Sequence, residues 1–182
     1  ALRFLSCSHP VSDCVIRKSS YGIDCVGTAS PTLSNTSIEA STYTPVVIDF
    51  TANPAFSSVA FSTANNGYDA IGLRGGTLTS ATSLTKRGAT VGVNPIANVT
   101  YVLLSTLTIA SGGSLTISPG VVIKPTAAYS FLVNSGGNLT MNGTSAPGDS
   151  ITITSISDDN YGSPNDTNNK MTFSGLRSAS NL

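Results

Sequence analysis

The chain has 182 residues; charged residues make up 10% of it, nine basic against nine acidic, and apolar residues 40%. A surface so poor in charge is not built to neutralise phosphates, so neither nucleic acid nor an anionic membrane patch is an expected partner. No apolar run approaches the ~18 residues of a membrane-spanning helix, and no membrane insertion is expected.

In chain order, Ala1-Leu2-Arg3-Phe4-Leu5 reads as though already inside a structural element, and the chain is expected to be a section of a larger polypeptide. Cys7, Cys14 and Cys25 contain no CxxC pair, which argues against zinc. Two readings stay open for them, small core residues or one disulfide with a leftover thiol. His9 stands beside Pro10 in a turn. Short apolar clusters then recur with one period. Ile16, Ile38 and Phe61 are spaced 22 and 23; Ile23, Val46 and Ile71 are spaced 23 and 25; Leu33 and Phe56 are 23 apart. Each period holds three such clusters, so residues 1–73 read as coils of a three-faced solenoid. From Arg74 to Asn98 the period is lost. This stretch, with Gly75-Gly76 and Lys86-Arg87-Gly88, is expected to be an irregular excursion or linker, or to carry one irregular coil. Over residues 99–182 the period returns: Leu107 to Phe131 and Leu115 to Leu139 are both 24. Val122 to Ile151 is 29, one coil plus a loop over 142–149. A second irregular loop is expected over 157–170.

The expected fold class is therefore all-β, a right-handed parallel β-helix with coils of about 22–25 residues. One coil cannot bury its inward residues alone. Coils stacked at ~4.8 Å pair every strand with the strands above and below. A strand–crossover–parallel strand connection favours the right-handed sense.

Three groups of residues are candidates for chemistry. Asp158, Asp159 and Asp166, among Asn160, Asn165, Asn168 and Asn169, form the densest set of oxygen ligands and are candidate calcium ligands; turn-forming Asx residues are the plainer reading. Asp24, Asp49 and Asp69 are spaced 25 and 20, close to one coil, with Arg17, Lys18 and Arg74 nearby in coil terms. A polysaccharide lyase or hydrolase on such a fold needs carboxylates and a basic residue on one face; solvated face residues are the plainer reading, and no catalytic residue is assigned. Tyr21, Tyr43 and Tyr68 recur near the coil period and are expected to stack.

The phrase Leu115-Thr116-Ile117-Ser118-Pro119-Gly120-Val121-Val122-Ile123-Lys124 resembles the surface-exposed parallel β-helix repeat proteins of bacteria. The likeness continues through Leu132-Val133-Asn134-Ser135-Gly136-Gly137-Asn138-Leu139 and Ser150-Ile151-Thr152-Ile153-Thr154-Ser155. The resemblance implies secretion, an extracellular or cell-surface location and a pectate-lyase-like superfold, with frequent use as adhesins or fibres. The expected function is a structural or adhesive extracellular β-helix and not an enzyme, with cell-surface polysaccharide as a further partner. The alternative is a carbohydrate-binding or polysaccharide-degrading β-helix. Met171-Thr172-Phe173-Ser174-Gly175-Leu176 stops mid-pattern and reads on into Leu2-Arg3-Phe4-Leu5, so other copies of the chain, end to end, are expected partners.

Overall fold

The computed structural model describes residues 1–62, 66–164 and 167–168. All the described secondary structure is strand. The first circuit of the chain holds β1 (Leu2–Leu5), β2 (Val11–Ser12) and β3 (Val15–Arg17). The second holds β4 (Ile23–Val26), β5 (Thr32–Ser34) and β6 (Ser37–Glu39), and the third β7 (Val46–Asp49), β8 (Ala55–Ser57) and β9 (Ala60–Phe61). The fourth is longer: β10 (Ile71–Arg74), β11 (Gly76–Leu78), β12 (Ala81–Leu84), β13 (Ala89–Val91) and β14 (Asn94–Ile96). The fifth holds β15 (Tyr101–Leu103), β16 (Leu107–Ile109) and β17 (Ser114–Ile117). The sixth holds β18 (Val122–Pro125), β19 (Phe131–Val133) and β20 (Asn138–Met141), and β21 (Thr152–Ile153) opens a seventh.

Each circuit returns to the sheet it left. The strands β1-β4-β7-β10-β15-β18-β21 form one seven-stranded sheet in which every pairing is parallel. Four smaller sheets complete the faces, β2-β5-β8 and β3-β6-β9-β13-β14 below, β11-β16-β19 and β12-β17-β20 above. This stacking is consistent with a β-helix-like solenoid. In the large sheet one inward column runs Leu2, Ile23, Val46, Ile71, Tyr101, Ile123, Ile153. From Ile23 to Ile123 every member is fully buried. Alternation along each strand explains the column: with a side-chain period of two, the apolar positions of a strand share one face.

The spacing of apolar clusters predicted most of the ladder. Ile16 pairs with Ile38 and Ile38 with Phe61; Leu33 pairs with Phe56, Leu107 with Phe131 and Leu115 with Leu139. Val122, however, pairs with Thr152 rather than Ile151, because the loop before β21 is one residue longer than the period suggests. That register keeps Ile153 above Ile123. A slip of one would turn the column outward.

Residues 74–98 carry an irregular circuit whose strands pair with those of other circuits. β11 pairs with β16, β12 with β17 and β13 with β9. Its period is lost because this circuit changes faces: it adds two new strands before returning to the third sheet. There β13 folds back antiparallel on β14. Pro95 sits in β14, the edge strand, where a missing N–H blunts further pairing, and the sheet ends.

The corners account for the Gly, Pro and Asx residues. Between the second and third faces the chain turns on a single residue in the left-handed region. Asp13, Asn35 and Ser58 take that place on successive circuits, with φ of 54°, 45° and 54°. Short polar side chains tolerate this conformation best, and Asn35 donates to Asp13 beneath it at 3.3 Å. In the upper circuits, Ser111-Gly112-Gly113 and Ser135-Gly136-Gly137 make the corresponding corner. The first glycine of each has positive φ; a Cβ on the second would stand 2.2 Å from the Leu78 oxygen (Gly113) or 2.5 Å from the Ile109 oxygen (Gly137) of the circuit below.

Candidate functional site

The large sheet's outer face brings two of the three predicted carboxylates together. Arg74, at the end of β10, reaches down across two circuits. Its Nη1 donates to Asp49 Oδ1 at 2.7 Å and its Nη2 to Asp24 Oδ1 at 2.6 Å. Asp24 Oδ2 also meets Arg3 Nε at 3.3 Å, and Asp49 Oδ2 accepts the Gly27 amide at 2.7 Å. All four carboxylate oxygens are therefore engaged, two of them by one guanidinium. Arg74 thus bridges the two acids, with the Arg3 guanidinium and the Gly27 amide on their other oxygens. Beside Asp49 and Arg74 lies a cleft of about 250 Å³, lined also by Phe50, Thr51, Leu78 and Leu107.

Asp69 does not join this group. It is fully buried, accepts from Asn66 Nδ2 at 3.0 Å, and its amide donates to the Thr167 carbonyl. Arg17 lies on another sheet and pairs with Glu39 at 2.9 Å. Tyr21 and Tyr43 stack as predicted, with centroids 5.3 Å apart and planes 26° from parallel. Burial, then the neighbouring Tyr43, raises the Tyr21 phenol above its ordinary range.

Of the three calcium candidates, Asp166 lies outside the described residues. Asp158 uses its carboxylate for local turn structure. Oδ2 accepts from Thr154 Oγ1 at 2.5 Å, and Oδ1 from the Asn160 amide at 3.0 Å and Asn160 Nδ2 at 3.1 Å. The Thr154 hydroxyl, then the Asn160 amide, hold its pKa below the usual carboxylate range. Asp159 is half-buried beside it. Among the described residues no group of three or more His, Cys, Asp or Glu side chains is placed to hold a metal ion.

The three cysteines are free thiols, Cys25 buried, Cys7 half-buried and Cys14 exposed. Burial, then the adjacent Asp24, pushes the Cys25 thiol up to about 12 from an ordinary 9.0. A raised pKa favours the fold fully while the unfolded thiol is still protonated, and that advantage is lost as pH rises towards the folded value. Unfolding free energy is therefore expected to fall from about pH 9 towards pH 12, by up to ~1.4 kcal/mol per unit from this group. A Cys25→Ala variant should flatten that part of a urea-midpoint-against-pH curve; an unchanged slope would refute it.

Two buried cations were missed in the sequence. Lys124, on the outer side of β18, is fully buried, and its Nζ donates to the Asp158 carbonyl at 2.8 Å. It lies beneath the loop of residues 157–164, whose Gly162 packs against it. Arg87 lies inside the stack, 8% exposed. Its Nε donates to the Pro54 carbonyl at 3.3 Å and its Nη2 to Asn53 Oδ1 at 2.7 Å; Nη1 bonds the Thr85 carbonyl at 3.5 Å and the Tyr101 hydroxyl. Tyr101 in turn donates to the Thr85 carbonyl at 2.7 Å. The one available signal was Lys86-Arg87 in a chain otherwise so poor in charge.

Comparison with known proteins gave no matching family model, no matching curated protein and no matching solved structure.

Proposed function

We propose that this chain is a section of right-handed parallel β-helix of the pectate-lyase-like kind, serving as a stiff structural or adhesive element outside the cell or on its surface, and not as an enzyme. The observation that carries this reading is the unbroken seven-stranded parallel sheet with its continuous inward apolar column. Each circuit is clamped to its neighbours by backbone pairing along several faces, so bending the axis would break ladders and open a dry core. Two further points support it. The clustered carboxylates Asp24 and Asp49 are neutralised by Arg74 and Arg3. The corner and face residues are Ser, Thr and Asn, compact neutral groups suited to an exposed stacked surface. The bacterial and secreted setting rests on the repeat phrases around Pro119-Gly120 and Ser135-Gly136-Gly137. The partly exposed Tyr21–Tyr43 stack favours a second reading, a carbohydrate-binding face, since sugar rings pack on aromatic planes.

A panel of acidic and neutral polysaccharides decides between a scaffold and an enzyme. No release of reducing ends or unsaturated uronates is expected. Turnover that Asp49→Asn abolishes would overturn the structural reading.

A further inference from the structure

The chain contains two Asn-Gly steps, Asn66-Gly67 and Asn142-Gly143. Such a step is chemically reactive. Glycine has no Cβ to shield its backbone nitrogen, and its free dihedrals let that nitrogen approach the preceding side-chain carbonyl. The fold treats the two steps in opposite ways.

Asn66-Gly67 is locked. Asn66 is 4% exposed; its Oδ1 accepts the Ser41 amide at 2.9 Å, and its Nδ2 donates to the Ser62 carbonyl at 2.5 Å and to Asp69 Oδ1 at 3.0 Å. The Gly67 amide donates to the Ser41 carbonyl at 2.9 Å, and a Cβ on Gly67 would stand 2.1 Å from the Thr42 carbonyl oxygen. Neither the side-chain amide nor the backbone nitrogen is at liberty to turn towards the other.

Asn142-Gly143 lies just beyond β20. Four residues, 118–121, join β17 to β18, whereas ten, 142–151, join β20 to β21. The excess forms a loop that closes on itself: the Thr144 amide donates to the Asp149 carbonyl at 3.2 Å, and the Asp149 amide to the Ala146 carbonyl at 3.1 Å. These bonds begin only at Thr144. Among the described residues neither the Asn142 side chain nor the Gly143 amide has a hydrogen-bond partner, and both residues are exposed. By strand parity Asn142 is not a member of the inward column that holds Leu139 and Met141.

We infer that Asn142 is the residue at which the folded chain deamidates. The Gly143 nitrogen, on losing its proton, attacks Asn142 Cγ. The new N–Cγ bond closes a succinimide ring as the Cγ–Nδ2 bond breaks, and Nδ2 leaves as ammonia. Water then opens the ring at either carbonyl. One product is aspartate; the other is isoaspartate, with an extra carbon in the backbone. Either product sets a new carboxylate at the root of the loop that Asp149 ties to Lys86. The inference does not depend on the structural reading above.

Tandem mass spectrometry of a chymotryptic digest, after incubation of the 182-residue chain at neutral and at mildly alkaline pH, tests this. The native chain is expected to show the mass change from amide to acid at residue 142, divided between two separable products. The change is expected to be faster at the higher pH, because the attacking nitrogen must be deprotonated. Residue 66 is expected to react at least about tenfold more slowly than residue 142 in the folded chain, a barrier difference of about 1.4 kcal/mol. In urea, where its contacts to Ser41, Ser62 and Asp69 are gone, residue 66 is expected to catch up. Asn142→Gln is expected to remove the fast phase of ammonia release. Gly143→Ala is the poorer variant, since a Cβ there would stand 2.9 Å from the Ile151 nitrogen and disturb the loop. An Asn142 that stays intact in the native chain, as would follow if the loop were covered, overturns the inference. So does equal reaction at residues 66 and 142 in the native chain.

Discussion

Replacing Arg87 with Met is expected to cost about 1–3 kcal/mol of unfolding free energy, a large part of the margin of many domains of this size. The side chain is nearly as long, so little volume is lost. What is lost is a fork of donors tied to three circuits: Asn53 and Pro54 in the third, Thr85 in the fourth and Tyr101 in the fifth. No carboxylate is among these partners; the charge is spread over neutral oxygens and the Tyr101 ring, whose centroid lies 5.9 Å from the guanidinium carbon. Without it the Pro54 carbonyl becomes a buried acceptor without a donor, at ~1–3 kcal/mol, whereas Asn53 Oδ1, on an exposed residue, turns to water. Tyr101 keeps its own bond to Thr85. Arg87→Lys recovers only part of the loss, because an ammonium cannot reach both sides of the fork. Urea unfolding with an unchanged m-value reads the difference directly. A cost below about 1 kcal/mol would mean that the fourth circuit is held by strand pairing alone.

Truncating Phe61 to Ala is expected to cost a further large amount, about 3–5 kcal/mol. Phe61 is fully buried, sits between Ile38 below and Val91 above, and meets the Phe56 ring edge-on at 6.3 Å. Its neighbours belong to three circuits held by backbone ladders, so they cannot close over the cavity. Ile153→Ala is the matched control. It removes an apolar side chain from the same kind of inward position, but one that is 44% exposed. Its expected cost is under about 1 kcal/mol, since only part of its surface leaves water on folding. Equal costs at the two positions would contradict the difference in their burial.

The setting of Arg87 follows from the fourth circuit. It converts a stack with one pair of side faces into a stack with another, while the large sheet passes through unbroken from β7 to β10 to β15. Arg87 and Tyr101 are buried together inside the stack at this change of faces. The antiparallel hairpin of β13 and β14 then closes the sheet that is left behind.

Read from the residues alone, the period of 22–25 and the pairs Ile16–Ile38, Leu33–Phe56, Leu107–Phe131 and Leu115–Leu139 were all legible, because an inward apolar residue must sit above another. Gly120 and Gly136, quoted from the sequence only as parts of repeated phrases, stand at corners with positive φ, which suits glycine. The candidate site was legible only as residue types. Spacing brought Asp24 and Asp49 within one coil of each other, but it equally suggested Asp69 and Arg17, which the fold sends under a loop and onto another sheet. Whether two residues one period apart face the same way depends on parity and on loop length, and a single extra residue before β21 shifts Val122 from Ile151 to Thr152. The irregular fourth circuit, the burial of Lys124 and the place of Arg87 were decided by tertiary structure alone. Periodicity records what repeats; a circuit that changes faces, and the cation that fills it, occur once and leave no period to read.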